Sequence, residues 1–113
     1  MTGPDSLELA TSPSAPVLAR VFTAGLLRLH GFDETAVSAT RLAVSELSTG
    51  TVQSGAARLT IEVTDTTHGV VVDVSADTEL LALDELARRI VDDAGTLSTR
   101  PDGWSLDVDR GGP

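Results

Sequence analysis

The groups in this sequence equipped for acid–base, nucleophilic or metal chemistry are 17 carboxylates, two histidines and a scatter of serines and threonines, with no cysteine among them. Disulfides, thiolate nucleophiles and cysteine-based zinc sites are therefore excluded together. His30 and His68 stand far apart, each followed by a glycine and neither inside a ligand spacing, so both read as turn or surface residues and no metal site is expected. No serine sits in a nucleophile elbow. Asp92-Asp93 falls near the end of a helical stretch and reads as a solvated acidic patch. Glu46 stands in a stretch with helical periodicity. A glutamate there can act as a base, but without a partner it reads as a solvated helix residue.

The elements that would carry these groups follow from periodicity. Leu7 and Leu9 alternate with polar neighbours across Ser6–Ala10, the period of a strand with one buried face. Ser14 is placed to cap a helix with Pro16 in its first turn. Leu18, Phe22, Leu26 and Leu29 repeat at helical spacing as its core face, and Gly31 supplies a left-handed end. That leaves Val17, Val21, Ala24 and Leu27 over the remaining surface beside Arg20 and Arg28, an apolar patch bordered by arginines of the kind found at interfaces.

A second helix starts near Glu34, with Asp33 as N-cap and Phe32 and Val37 placed as a hydrophobic staple, and ends between Thr51 and Gly55. Val37, Val44 and Leu47 form its apolar side; Arg41, Glu46, Gly50 and Gln53 lie off it, facing a cleft. Leu59, Ile61 and Val63, then Val70, Val72 and Val74, alternate as a hairpin around Asp65–Gly69. A third helix follows from Leu80, with Asp77 or Thr78 as N-cap, Leu83, Leu86, Ala87, Ile90 and Ala94 facing inward, and Gly95 as its C-cap. A last hairpin, Thr96–Thr99 and Trp104–Val108, turns through Arg100-Pro101-Asp102-Gly103, with Trp104 as a core anchor. This order predicts an α+β two-layer sandwich: a mostly antiparallel sheet covered on one face by helices.

At 113 residues the chain fits one domain, 1–113 with a core of about 6–109. No apolar run reaches membrane-spanning length, and Met1–Ala10 has no basic start leading into an apolar run, so a cytoplasmic protein is expected. The formal net charge of −9 repels phosphate backbones and anionic lipid, which argues against nucleic-acid and membrane partners. All basic residues are arginine, a bias associated with GC-rich bacterial genomes.

Arg41-Leu42-Ala43-Val44-Ser45-Glu46-Leu47-Ser48-Thr49-Gly50-Thr51-Val52-Gln53-Ser54-Gly55 resembles the N-box helix of the anti-sigma-factor serine kinases, within the histidine-kinase-like ATPases. The element order is similar as well, over Leu7–Val108. The resemblance implies a histidine-kinase-like ATPase fold with ATP and Mg²⁺ held beside Glu46. The residues depart from that pattern in a consistent direction. Gly50 stands where the family carries its Mg²⁺-binding asparagine, and a glycine offers the metal no oxygen. Gln53 and Ser54 replace a basic residue and a histidine. The adenine-reading aspartate motif has its relic at Ser75-Ala76-Asp77-Thr78-Glu79, where neither glycine follows, and no glycine occurs between Gly69 and Gly95 to let phosphate approach the backbone.

The reading that follows is a degenerate, non-catalytic member. Glu46 is a relic of the catalytic position, and Gly50, Asp77 and Thr78 are relics of the nucleotide site. No cofactor is expected. Thr78, Glu79 and Leu80 are expected to fill the site, and Gly50→Asn alone should leave hydrolysis unrestored while recovering part of the helical cost of glycine. The resemblance supplies the partners, a sigma factor or an anti-sigma-factor antagonist, with Val17, Arg20, Val21, Ala24 and Leu27 as the contact surface for such a partner or for a homodimer. The alternatives are a weak ATP-binding serine-protein kinase and a structural assembly domain.

Overall fold

The computed structural model describes residues 4–110, so Met1–Gly3 of the stretch read for a targeting signal lie outside it. The elements are β1 (Asp5–Ala10), α1 (Ala15–Leu29), α2 (Glu34–Gln53), β2 (Arg58–Asp65), β3 (Gly69–Ala76), α3 (Glu85–Ala94), β4 (Thr96–Arg100) and β5 (Gly103–Asp109). The strands form one antiparallel sheet in the order β1-β2-β3-β5-β4, with the three helices packed against it. This is an α+β fold. Among the described residues no helix is long and apolar enough to cross a membrane.

Alternation places the core. Leu59, Ile61 and Val63 of β2, Val70, Val72 and Val74 of β3, and Trp104, Leu106 and Val108 of β5 are all buried, and cross-strand register stacks them on one face under the helices. Thr60, Glu62, Asp73, Ser75 and Ser105 alternate with them on the opposite face, where Arg100 bridges Asp73 and Ser105.

Helix α1 turns a different face inward from the one its large residues suggest. Ala15, Ala19, Thr23 and Leu27, spaced four apart, are fully buried with Ala24, while Phe22 and Leu26 are half-buried. Leu18 and Leu29, expected in the core, are 49% and 82% exposed. The physical reason is packing distance: a row of small residues lets α1 lie close against α2 and the sheet, where bulky ones would hold it away. Ser14 occupies the N-cap position, but its hydroxyl lies 2.9 Å from that of Ser12 and makes no capping bond. Gly31 does adopt the left-handed conformation, with φ +82°.

Asp33 caps α2 as its sequence suggests, accepting from the Ala36 amide at 2.8 Å, and Phe32 and Val37 are both buried. Arg28 grips Glu34 through two bonds, 2.9 and 3.0 Å, tying the end of α1 to the start of α2. That hydrogen bond holds the Glu34 carboxyl below its ordinary range. The pair's contribution is therefore present above the usual glutamate pKa and fades as pH falls through the lowered one; at full exposure it is small and screened by salt.

The third helix begins later than Leu80. Asp84, not Asp77 or Thr78, is its N-cap and accepts from the Ala87 amide at 2.8 Å. Its inward face is Ala87 and Val91, and Leu86 is 69% exposed. Gly95 ends it in an extended conformation, φ 175°, so its glycine answers to the close passage of β5 and not to a left-handed cap.

Three hydroxyls in the helical layer, those of Thr23, Thr40 and Ser48, are fully buried with no hydrogen-bond partner among the described residues. An unmade buried hydrogen bond costs about 1–3 kcal/mol. Thr40→Val and Ser48→Ala are each expected to raise stability by roughly 1 kcal/mol, read as a higher urea midpoint at unchanged m-value. A lower midpoint in both would show that these hydroxyls are satisfied.

Candidate functional site

The cleft in which the sequence places its chemistry exists, and it is small. Glu46, Thr49, Gly50 and Gln53 on α2 face Leu81–Asp84 and Ala87 across a space of about 170 Å³. Cavities that enclose drug-sized ligands run to about 300–1,000 Å³. Arg41, grouped with these residues on sequence grounds, lies elsewhere, in a groove with Arg20, Val21 and Leu42.

Gly50 marks the floor of the cleft. A Cβ built there would stand 3.3 Å from Cη2 of Trp104 and 3.5 Å from Cδ2 of Leu83. An added side chain would stand in tight contact with the Trp104 ring and in ordinary contact with Leu83. A side chain at this position needs the Trp104 ring to give by a few tenths of an ångström, and whether the ring can do so sets the sign of the stability change for Gly50→Asn.

The segment from Asp77 to Asp84 closes the cleft, though with different residues from those expected. Leu81, Ala82 and Leu83 line the space; Thr78, Glu79 and Leu80 do not. The segment is tied at three points. Asp77 Oδ1 accepts from the amides of Ala57 and Arg58 at 3.0 and 3.3 Å, the Leu80 amide donates to the Pro101 carbonyl at 2.8 Å, and the Leu81 amide donates to Ser54 Oγ at 2.9 Å. Ser54 Oγ in turn donates to the Gly50 carbonyl at 2.7 Å, so the strap is pinned to the last turn of α2.

Asp77 thus spends one carboxylate oxygen on backbone amides at the start of β2. Thr78 is half-buried outside the cleft lining. Glu46 is half-buried at the cleft wall, and among the described residues no group of three His, Asp or Glu side chains is arranged to hold a metal ion.

Of the five surface positions expected on α1, the structure keeps three at the surface. Val17 and Val21 are 45% and 66% exposed and Arg20 is half-buried, whereas Ala24 and Leu27 are in the core at 3% and 0%. Leu27 is excluded from the patch because it continues the buried row of Ala15, Ala19 and Thr23. Leu18 of α1 and Leu42 of α2 take its place, at 49% and 57% exposure. Leu42 was visible in the sequence as an apolar residue on the side of α2 opposite the Val37–Val44–Leu47 stripe.

His30 and His68 sit at one end of the sheet. His30 Nδ1 is 3.8 Å from Asp65, which also meets Arg110 at 3.5 Å, and Arg110 lies over the Phe32 ring at 5.3 Å while donating to the His30 carbonyl. This end is a structural clasp joining the α1–α2 turn to β2 and the end of β5. No protein-family model and no curated protein matches the chain.

Proposed function

We propose that this chain is a non-catalytic regulatory protein, a histidine-kinase-like ATPase domain of the anti-sigma type that has lost its lid and nucleotide chemistry and acts by binding another protein. The observation that carries the reading is Gly50 itself, which brings no side-chain oxygen to the cleft and has the Trp104 ring and Leu83 3.3 and 3.5 Å from where a Cβ would stand. The pinned strap of Leu81–Leu83, with Asp77 engaged by the backbone of β2, supports it further. The resemblance of Arg41–Gly55 to the N-box supplies the partner class, a sigma factor or an anti-sigma-factor antagonist.

Calorimetric titration with ATP and Mg²⁺ tests the loss of chemistry. No saturable heat is expected for the wild type, and no turnover for Gly50→Asn. Micromolar ATP binding would instead favour a working serine-protein kinase, the reading that keeps Glu46 as its base. Two-hybrid or co-purification trials with sigma factors and antagonist proteins test the partner class. Failure with both classes would leave an assembly domain as the better account.

A further inference from the structure

Of the eight arginines, six are in ion pairs: Arg28 with Glu34, Arg58 with Glu8, Arg88 with Asp92, Arg89 with Glu85, Arg100 with Asp73 and Asp102, and Arg110 with Asp65. The other two, Arg20 and Arg41, have no carboxylate within ion-pair distance among the described residues. In a chain with 17 acidic residues and a net charge of −9, two arginines without a carboxylate partner are unexpected anywhere. Both border the same groove, a space of about 330 Å³ between α1 and α2 that Val21 and Leu42 complete.

The surroundings share this character. Val17, Leu18 and Val21 follow one another at i, i+1 and i+4 on the outward side of α1, each at least 45% exposed, and Leu42 rises from α2 beside them at 57%. Helix α1 contains no acidic residue, and α2 contains two, of which Glu34 is held by Arg28 and Glu46 faces the other cleft. The result is an apolar stripe between two guanidinium groups that lie outside ion-pair distance of any described carboxylate, with Glu34, already bonded to Arg28, close enough to Arg41 to feel its charge.

We propose that this groove is the docking site for an acidic amphipathic helix of another protein, whose apolar residues seat on Val17, Val21 and Leu42 while its flanking carboxylates pair with Arg20 and Arg41. Charge selects this occupant over a second copy of the chain. A two-fold contact sets the same patch against itself, which brings Arg20 and Arg41 onto their own counterparts without an acid to receive them. A helix laid in a groove needs an apolar stripe and supplies its charges from the rim, and this surface offers the complementary arrangement. The inference rests on the reading that the protein works by protein binding, and it adds the place and the partner's chemistry.

The test uses the full chain and two synthetic helical peptides sharing one leucine stripe, flanked by glutamates in the first and by lysines in the second. Fluorescence anisotropy is expected to show the glutamate peptide binding at least about tenfold more tightly than the lysine peptide, with the preference weakening as salt is raised. Arg20→Glu with Arg41→Glu should invert the preference, and Val21→Asp should abolish binding of both peptides. Val21 and Arg41 are exposed and Arg20 is half-buried, so far-UV circular dichroism of each variant checks that the fold is kept.

Equal binding of the two peptides, or a preference that survives the double charge reversal, would overturn the proposal. So would sedimentation as a dimer that Val21→Asp dissociates, since a second copy would then be the occupant. These outcomes are separate from the ATP titration: nucleotide binding removes the regulatory reading, while an indifferent peptide result removes only this surface.

Discussion

Trp104→Ala is expected to lower folding stability by about 3–5 kcal/mol, the cost of deleting a fully buried aromatic side chain and leaving a cavity behind. The ring is 1% exposed, pairs with Val74 across β3 and β5, and reaches the underside of α2 at Gly50. It is also the chain's single tryptophan, so unfolding of the variant is followed by circular dichroism in urea. For a domain whose whole stability is about 5–15 kcal/mol, such a loss leaves a marginal fold. Trp104→Phe should retain the larger part. A loss below about 1 kcal/mol for the alanine variant would mean that the ring does not hold α2 to the sheet.

The same contact predicts a coupling. Gly50→Asn should be better tolerated in the Trp104→Ala background than in the wild type, because the ring atoms nearest its Cβ are then gone.

Gly69→Ala is expected to cost on the order of 3 kcal/mol through overpacking, although it adds a single methyl group. The added carbon would land on the Val108 carbonyl oxygen, with the Arg110 amide nitrogen only 2.9 Å away, and neither can move without parting β3 from β5. Gly95→Ala meets the Asp107 carbonyl in the same way. Gly25→Ala is the control: nothing lies within 4 Å of its Cβ position and it sits inside α1, so it should stabilise by roughly 0.5–1 kcal/mol. Thermal midpoints of the three variants decide the matter; if Gly69→Ala melts with the wild type, the strands are not clamped at that point.

The strands were the most legible part of the chain, for a physical reason. A two-residue period assigns each side chain to one face without reference to anything distant, so Leu59–Val63, Val70–Val74 and Trp104–Val108 could be placed from the sequence. Helix α1 was not legible in that way. It is apolar on nearly every side, and which stripe faces inward depends on how closely α2 and the sheet approach, a property of the partners and not of α1 itself. Ala15, Ala19 and Ala24 win that position because they are small, and the larger Leu18 and Leu29 are left outside.

The start of α3 was misplaced because Asp77 and Asp84 are both competent caps, and local sequence does not say which one the backbone of β2 will engage. At the cleft, the glycine at position 50 was visible in the sequence. Its close approach to Trp104, more than fifty residues away in sequence, was not.

The strand order also ranks the elements by how much chain entropy each must overcome. Strands β2 and β3 meet through a tight turn, as do β4 and β5, but β1 reaches β2 only after α1 and α2 have been traversed. Closing that long excursion is entropically the most demanding pairing on this side of the sheet, and it is rewarded by six residue pairs at one edge. Of the two edge strands, β1 is the one whose release reopens that long loop. Its departure would turn β2 into a new sheet edge with unsatisfied backbone groups, beside the buried row of Leu59, Ile61 and Val63. The vulnerability of this protein to strand exchange between molecules is thus set by how firmly β1 stays in place.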